Sequence, residues 1–197
     1  MDITIHNLSK SYGTSSVLQN INFCFKEGEI TFLQGASGIG KTTLIRILMQ
    51  LESSDTGTVT GLEDKTISAV FQDNLLCESV NVKQNLLLIN PNLSYDTMTE
   101  SMDKMHLHDC LNKKVSSLSG GMKRRVAILR ALLYEFDVLI MDEPFKELDS
   151  ATKKQVMDFV IECTGDKTVI IVTHNTSEYE YFVSQIPCRV NLLSLSK

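Results

Sequence analysis

The 197-residue sequence has little proline and glycine, no long apolar run and no closely paired cysteines. With 43% hydrophobic and 22% charged residues, its composition is ordinary for a globular protein of one large domain or two small lobes. Aliphatic runs such as 86–89 and 169–172 are far too short to span a bilayer. Residues 1–4 lack both a basic segment and a following apolar segment, so we expect no signal peptide.

Two further absences narrow the functional classes. The cysteines are odd in number and form no C-x-x-C pair; they stand at positions 24, 77, 110, 163 and 188. This spacing indicates reduced thiols of a cytosolic protein and excludes a disulfide scaffold or a zinc site. A net charge of −5 argues against a nucleic-acid-binding face, although a local basic patch is still compatible with it.

The most informative segment is Gly-Ala-Ser-Gly-Ile-Gly-Lys-Thr at residues 35–42, which fits G-x-x-x-x-G-K-[ST]. An apolar strand pattern at 29–34 precedes it. The helical pattern that follows puts four apolar residues on one face: Leu44, Ile45, Leu48 and Leu51. In this context the glycines let backbone N–H groups turn inward at a helix N-terminus, which predicts a phosphate-binding loop. Lys41 would reach the β- and γ-phosphates, and the Thr42 hydroxyl would bind Mg²⁺.

A second candidate anion site follows Leu118. The Ser119-Gly120-Gly121 turn begins a helical pattern, where it presents free N–H groups and a hydroxyl. The basic run 123–125 that comes next is usually a solvated helix face.

Polar residues also follow two buried-strand patterns. Asp142 and Glu143 come directly after the run 138–141, where two acids are costly unless they face a cleft or a metal ion. Asp142 suits Mg²⁺ and Glu143 could orient or deprotonate water, while an ordinary turn is the alternative. His174 ends the run 168–173, a position where α/β folds place ligand groups, although a lone histidine is more often structural.

Two candidates are weaker when they are considered alone. Tyr12 lies in a predicted loop, 9–13, between strands at 3–8 and 21–25, where a tyrosine is usually a surface or packing residue. Gln72 ends a strand pattern at 67–71 and is either a polar cap or part of a metal site.

Residues 80–112 have a helical texture, which a break at Asn90-Pro91 interrupts. Met98, Met102 and Met105 have the spacing of a helix core. His106 and His108 form a surface pair more readily than a metal site, because no further ligand is visible nearby.

The order of these motifs resembles that of the ATP-binding cassette (ABC) family of ATPases over essentially the whole chain, with residues 118–121 as the most specific piece. The resemblance implies an α/β P-loop NTPase fold with a mixed sheet, a small N-terminal antiparallel β part and an inserted α-helical lobe. The chain would be one ABC ATPase domain, 1–197, with its nucleotide-binding core in 1–74 and 134–197 and the helical lobe in 75–133.

The resemblance also implies a role for each motif. Tyr12 would stack on adenine, and consecutive residues would cradle the triphosphate of ATP: Gly35, Ala36, Ser37, Gly38, Ile39, Gly40, Lys41, Thr42 and Thr43. Magnesium would be held by Thr42, Gln72 and Asp142, the last usually through water. Glu143 would be the general base, and His174 would contact the γ-phosphate.

The same resemblance implies a head-to-tail dimer. Ser119, Gly120 and Gly121 would belong to the site of the ATP that the opposite protomer holds, and Asp149 would lie at the dimer interface. Two departures stand out: Met122 replaces a common glutamine, and Lys146-Glu147 replace small residues. Neither departure touches the metal, base or phosphate-loop positions, so we expect competence for hydrolysis.

The resemblance favours a transporter motor, because the chain has neither twin cassettes nor a long coiled-coil insertion and its balance of charge is acidic. The short chain is most similar to a bacterial small-molecule importer subunit, and residues 71–76 are similar to cassettes of the nitrate, sulfonate and taurine type. Its partners would be membrane-spanning permease subunits, which Leu75 and Leu76 would contact, and a second copy of itself or a related cassette. The chain would not span the membrane itself and would bind no nucleic acid. It would lie at the cytoplasmic face of the membrane. The alternatives are an exporter cassette and a soluble ATPase acting on nucleic acid or ribosomes; a structural switch without turnover would lack Glu143 or His174.

Overall fold

A computed structural model describes residues 1–195, which form two compact units. The first unit contains residues 1–67, 136–142 and 166–195. The second contains residues 68–135 and 143–165. The division inferred from the sequence, with boundaries after 74 and 133, stays a prediction.

The fold is of the mixed α/β class that the sequence predicts. The strands are β1 (Ile3–Tyr12), β2 (Ser15–Phe25), β3 (Ile30–Gln34), β4 (Thr56–Thr60), β5 (Ile67–Val70), β6 (Val138–Asp142), β7 (Thr168–Val172) and β8 (Val190–Ser194). The α-helices are α1 (Lys41–Leu48), α2 (Val82–Leu87), α3 (Tyr95–Lys104), α4 (Gly120–Leu132), α5 (Ser150–Thr164) and α6 (Thr176–Gln185).

The small antiparallel sheet of the first unit has the order β2-β1-β4. Its strands are longer than predicted, because cross-strand pairs continue through register shifts as far as Tyr12↔Ser15. The predicted loop 9–13 is therefore wrong for most of its length. Tyr12 is the last residue of β1, and the polar residues before it stay in the ladder because bulges absorb their irregular pattern.

The parallel strands of the first unit follow the order β6-β7-β3-β8. Strand β3 is bonded on both sides, with Ile30 opposite Val169 of β7 and Val190 of β8. Strands β6 and β7 are buried along their whole length, which is why they read as continuous apolar runs. Since β3, β6 and β7 run in the same direction, the residues that follow them emerge at one edge of the sheet.

Helix α1 packs into the core of the first unit through Leu44, Ile45 and Leu48. The prediction that Leu51 shares this face is wrong, because the helix ends at Leu48 and Leu51 is 57% exposed. Gln50 has a left-handed backbone (φ +57°), and the Leu51 N–H donates to the Arg46 carbonyl. This is the hydrogen bonding of a Schellman motif, which turns the chain away from the helix axis.

The second unit is largely helical. Helix α2 begins with a capping box between Asn81 and Gln84, and the break predicted at Asn90-Pro91 separates α2 from α3. Three methionines are buried as their spacing predicts: Met98, Met102 and Met105.

The histidine pair and the cysteines are the side chains of this chain best suited to metal binding or redox chemistry. The rings of His106 and His108 lie 5.8 Å apart, and residues 1–195 contain no group of three His, Cys, Asp or Glu residues able to hold a metal ion. All five cysteines are free. Burial raises the pKa of the Cys163 thiol to about 11, so this thiol is neutral and unreactive at pH 7.

In the part of the chain that the structure describes, no helix has both the length and the apolar character needed to cross a bilayer.

The packing of α6 on β3 gives a test of the core. Phe182 is fully buried, and its ring meets the Phe32 ring edge to face at a centroid distance of 5.2 Å. Phe182→Ala should lower the free energy of unfolding by about 3–5 kcal/mol, because it removes this contact and leaves a cavity. Phe182→Leu, which keeps most of the apolar volume, should cost clearly less. Urea unfolding followed by circular dichroism measures both, and equal losses would contradict this account of the packing.

Candidate functional site

The loop between β3 and α1 gathers positive charge and backbone N–H groups. Gly40 is the N-cap of α1 with a left-handed backbone (φ +107°), and no side chain of the described residues caps the helix. The Lys41 ammonium folds back over the loop and donates to the carbonyls of Gly35 (2.7 Å) and Ala36 (3.0 Å). A helix N-terminus with this arrangement favours a bound anion.

A carboxylate and a hydroxyl meet beside this loop. Asp142 ends β6 and is 5% exposed, and the Thr42 hydroxyl in the first turn of α1 donates to Asp142 Oδ2 at 3.3 Å. The two residues lie 100 positions apart in the sequence and come together because β3 and β6 end at the same edge of the sheet. Both oxygens are hard donors of the kind that Mg²⁺ prefers.

His174 lies exposed in the turn between β7 and α6. Two buried residues fix this turn: the Thr173 hydroxyl donates to Glu178 Oε2 at 2.8 Å and accepts from the Asn175 N–H at 3.1 Å. The side chain of Asn175 then caps α6. Sequence reasoning missed Thr173 and Glu178, although a buried hydroxyl and a carboxylate on opposite sides of a strand-to-helix turn are a recognisable support for the residue between them.

The Tyr12 ring stands at the end of β1 and is 49% exposed. Its hydroxyl hydrogen-bonds to Glu52, and the Lys10 ammonium lies 5.6 Å from the ring centroid. Lys10 also donates to Asp55. Hydrogen bonds lower the pKa of Asp55 below its usual value; the larger effect comes from the Ser11 N–H and the smaller from Lys10. This charged network holds the aromatic ring in place and leaves about half of it open to a ligand.

In the second unit, Ser119 is the N-cap of α4, and its hydroxyl accepts from the Met122 N–H at 3.3 Å. The carboxylate of Glu147 lies beside Gly120: a Cβ atom on Gly120 would be 3.2 Å from Glu147 Oε2. Glu147 has a left-handed backbone (φ +68°). One of the two departures from the ABC pattern therefore puts negative charge next to the predicted second anion site.

The remaining predicted residues, Gln72 and Glu143, are joined through a buried arginine of α4. Arg124 of α4 is only 3% exposed, and its guanidinium donates to the carbonyls of Gln72 (3.2 Å) and Glu143 (2.7 Å). The prediction that residues 123–125 form a solvated helix face is wrong for Arg124. The available signal was helical periodicity, because Arg124 shares a face with the apolar residues Ile128 and Ala131.

The predicted site residues thus form two sets. The first unit holds the phosphate loop with Lys41 and Thr42, together with Asp142, Tyr12 and the His174 turn. The second unit holds Gln72, Glu143 and the turn 119–121.

Comparison with known proteins gives one consistent family. The family described as ABC transporter matches residues 18–146. A probable sulfate/thiosulfate import ATP-binding protein CysA of Chlorella vulgaris is 35% identical over 195 residues, covering 90% of this chain and 83% of that protein. An aliphatic sulfonates import ATP-binding protein, SsuB 1 of Shouchella clausii, is 32% identical over 90% of this chain and 73% of that protein. The chain spans only 57% of the CysA protein of Nephroselmis olivacea, which is 32% identical.

Solved structures support the same fold. The structure of an ATP binding subunit of an ABC transporter has a TM-score of 0.81 at 24% identity, covering 92% of this chain and 83% of that chain. A bacterial Atm1-family ABC exporter with ATP bound also has a TM-score of 0.81, at 21% identity, covering all of this chain and 38% of that one.

The phosphate loop can be tested at Gly40. A Cβ atom there would lie 2.7 Å from Leu18 Cδ2 and 3.0 Å from the Val17 carbonyl, on a backbone that L residues rarely adopt. Left-handed strain alone costs about 1–2 kcal/mol, so Gly40→Ala should weaken nucleotide binding by at least about fivefold. Titration with a fluorescent ATP analogue measures this.

Gly165→Ala is the control for that experiment, because Gly165 also has a positive φ but nothing within 4 Å of a Cβ atom. Unchanged binding by a folded Gly40→Ala variant would contradict the loop assignment.

Proposed function

The chain belongs to the ABC transporter family, whose ATP-binding subunits are ATPases, and from this premise we propose that it powers a bacterial small-molecule importer. The observation that carries the ATPase part of the proposal is the meeting of Lys41, Thr42 and Asp142 at one edge of the parallel sheet. An ammonium group, a hydroxyl and a buried carboxylate at a glycine loop suit a nucleoside triphosphate with its metal ion.

The residues fit a bound magnesium ion. The Thr42 hydroxyl and Asp142 carboxylate already approach each other at 3.3 Å, and both are oxygen ligands. We propose that these two residues hold Mg²⁺ with Gln72, as the resemblance implies. Such a metal ion neutralises charge on the phosphate oxygens.

Each of the other residues then has a definite task. Lys41 exchanges its two loop carbonyls for phosphate oxygens, and His174 donates to the γ-phosphate. Glu143 accepts the proton of the attacking water. Tyr12 offers its exposed ring face to adenine. Ser119, Gly120 and Gly121 act on the ATP of a second cassette, so the active unit is a head-to-tail dimer.

The names of the relatives favour import over export, since those quoted are import ATP-binding proteins for sulfate, thiosulfate or aliphatic sulfonates. We propose that separate permease subunits span the membrane and that this chain docks on their cytoplasmic side. The second unit offers apolar residues for that contact, with Leu75 at 58% and Leu88 at 67% exposed. The fold itself is shared with an exporter and does not separate the two directions.

The role of Glu143 can be tested by trapping the dimer. Glu143→Gln should abolish turnover while it leaves ATP binding intact, so ATP should hold two copies together. We expect a stable dimer with Mg-ATP in the variant and a monomer in wild type, measured by size-exclusion light scattering. Glu180→Gln, which changes an exposed carboxylate on α6, is the control and should behave as wild type. A monomer in the Glu143→Gln variant would count against the dimer and against the role of residues 119–121.

The metal site can be tested at Thr42. Thr42→Val keeps the shape of the side chain and removes its oxygen, so the gain in ATP affinity that magnesium gives should shrink. Affinity in EDTA should stay at the wild-type value. Calorimetric titration with and without magnesium measures both, with Asp142→Asn as a parallel variant. A full magnesium response in Thr42→Val would exclude Thr42 as a ligand.

A further inference from the structure

We propose that Arg124 is a positioning residue for ATP hydrolysis, which holds the main chain at Gln72 and at Glu143 in one fixed arrangement. The inference rests on the proposed function, because it concerns the same reaction. Arg124 touches neither nucleotide nor water in this scheme. Its effect passes through the two residues whose backbones it binds.

The contacts of Arg124 go to two separate segments of the second unit. Toward Glu143 and Pro144, Nη2 donates to the Glu143 carbonyl at 2.7 Å and Nε to the Pro144 carbonyl at 2.9 Å. Toward the segment that follows β5, Nη1 donates to the carbonyls of Phe71 and Gln72 and approaches Asn74 Oδ1 at 3.4 Å. One side chain therefore joins the segment of the predicted base to that of a predicted metal ligand.

Arginine chemistry explains why this residue can do so. The guanidinium is planar and carries five N–H donors in a rigid fork, so it reaches acceptors on two sides at once. A buried cation is costly unless its donors are satisfied, and four main-chain carbonyls receive them here. Lysine carries a compact ammonium group with three donors and cannot span both segments.

The position of the Glu143 backbone matters for the reaction. Glu143 has a left-handed backbone (φ +48°), which is unusual for a residue with a side chain and persists only where its surroundings hold it. The hydrogen bond from Arg124 to the Glu143 carbonyl is one of those restraints. Because the direction of the carboxylate follows from this backbone, a loosened carbonyl would misplace the proposed base.

The predicted anion site at residues 119–121 is connected to Arg124 through helix α4 itself. Ser119 caps α4 and Gly120 is its first residue, so Arg124 lies just over one turn from the predicted second anion site. A shift of α4 relative to the Glu143 and Gln72 carbonyls would break the fork. Arg124 thus holds α4, Gln72 and Glu143 in one register.

The test is Arg124→Lys, which keeps the positive charge and loses the fork. We expect the kcat for ATP hydrolysis to fall roughly 10- to 100-fold, as small misplacements of reacting groups do. The KM and the binding constant for Mg-ATP should change less than about threefold, because Lys41, Thr42 and Asp142 all lie in the first unit. In the Glu143→Gln background, the same change should weaken the ATP-dependent dimer.

Arg130→Lys is the matched control. Arg130 lies on the same helix, is half-buried, and donates to the carbonyls of Leu75 (3.0 Å) and Asn74 (3.5 Å), but contacts neither Gln72 nor Glu143. Burial lowers its pKa below the usual value, so both substitutions change a desolvated arginine. Its kcat should stay at the wild-type level, and melting temperatures of both variants show whether they lose similar stability.

The outcomes separate the two proposals. Equal kcat values in Arg124→Lys and Arg130→Lys, or a raised KM with unchanged kcat, would overturn the role of Arg124 while the ATPase assignment stands. Both proposals would be overturned if the wild-type chain does not hydrolyse ATP and the Glu143→Gln variant does not dimerise with Mg-ATP. If Arg124→Lys does not fold, Arg124→Gln takes its place, since it leaves no buried charge. Failure of that variant to fold as well would make Arg124 a structural residue only.

Discussion

Strand β3 is hydrogen-bonded to a neighbour on each side, β7 and β8, and its residues from Ile30 to Leu33 are buried. A strand buried in this way leaves no room for ligand-binding side chains. The residues that could bind a ligand therefore begin after the strand, at Gly35. The same holds for β6, which ends at Asp142, and for β7, which His174 follows closely. Because the three strands are parallel, their ends share one edge, and the loop, the carboxylate and the histidine turn all depend on that direction.

The sequence was sufficient wherever a function depends on a local pattern. The phosphate loop needs a strand, glycines in fixed places and a helix, and all of these lie within residues 29–48. The helix start at Ser119 is equally local, because the Ser-Gly-Gly turn and the helical pattern are adjacent in the sequence. The order of the motifs identified the family, because several motifs in one order are more specific than any single motif.

The sequence was insufficient wherever distant segments decide. Residues 9–12 have the composition of a loop, but pairing with β2 keeps them in a strand and puts Tyr12 at its end. The last turn of α1 depends on a left-handed Gln50, a conformation that local propensity does not favour for glutamine. In both cases hydrogen bonding across or beyond the element outweighed the local pattern.

Arg124 is the clearest instance of such a distant influence. In a basic run it looks like a surface residue, and its burial follows only from carbonyls that stand 52 residues before it and 19 after it. Desolvation of the guanidinium opposes this arrangement, and charged hydrogen bonds of about 1.5–3 kcal/mol each offset that cost. A periodicity analysis would have shown that Arg124 faces the core, but not which acceptors it meets.

Strand β8 is translated after the phosphate loop, although it forms part of the loop's surroundings. It pairs with β3 through residues 30–34, the Leu195 N–H donates to the Gln34 carbonyl at 2.9 Å, and the Leu195 carbonyl closes over Gly35. The ribosome makes residues 35–42 well before it makes the segment that completes their surroundings. A ribosome-bound chain therefore exposes residues 35–42 before β3 has both neighbours. The native surroundings of residues 35–42 are therefore complete only once residues 190–195 have emerged from the ribosome.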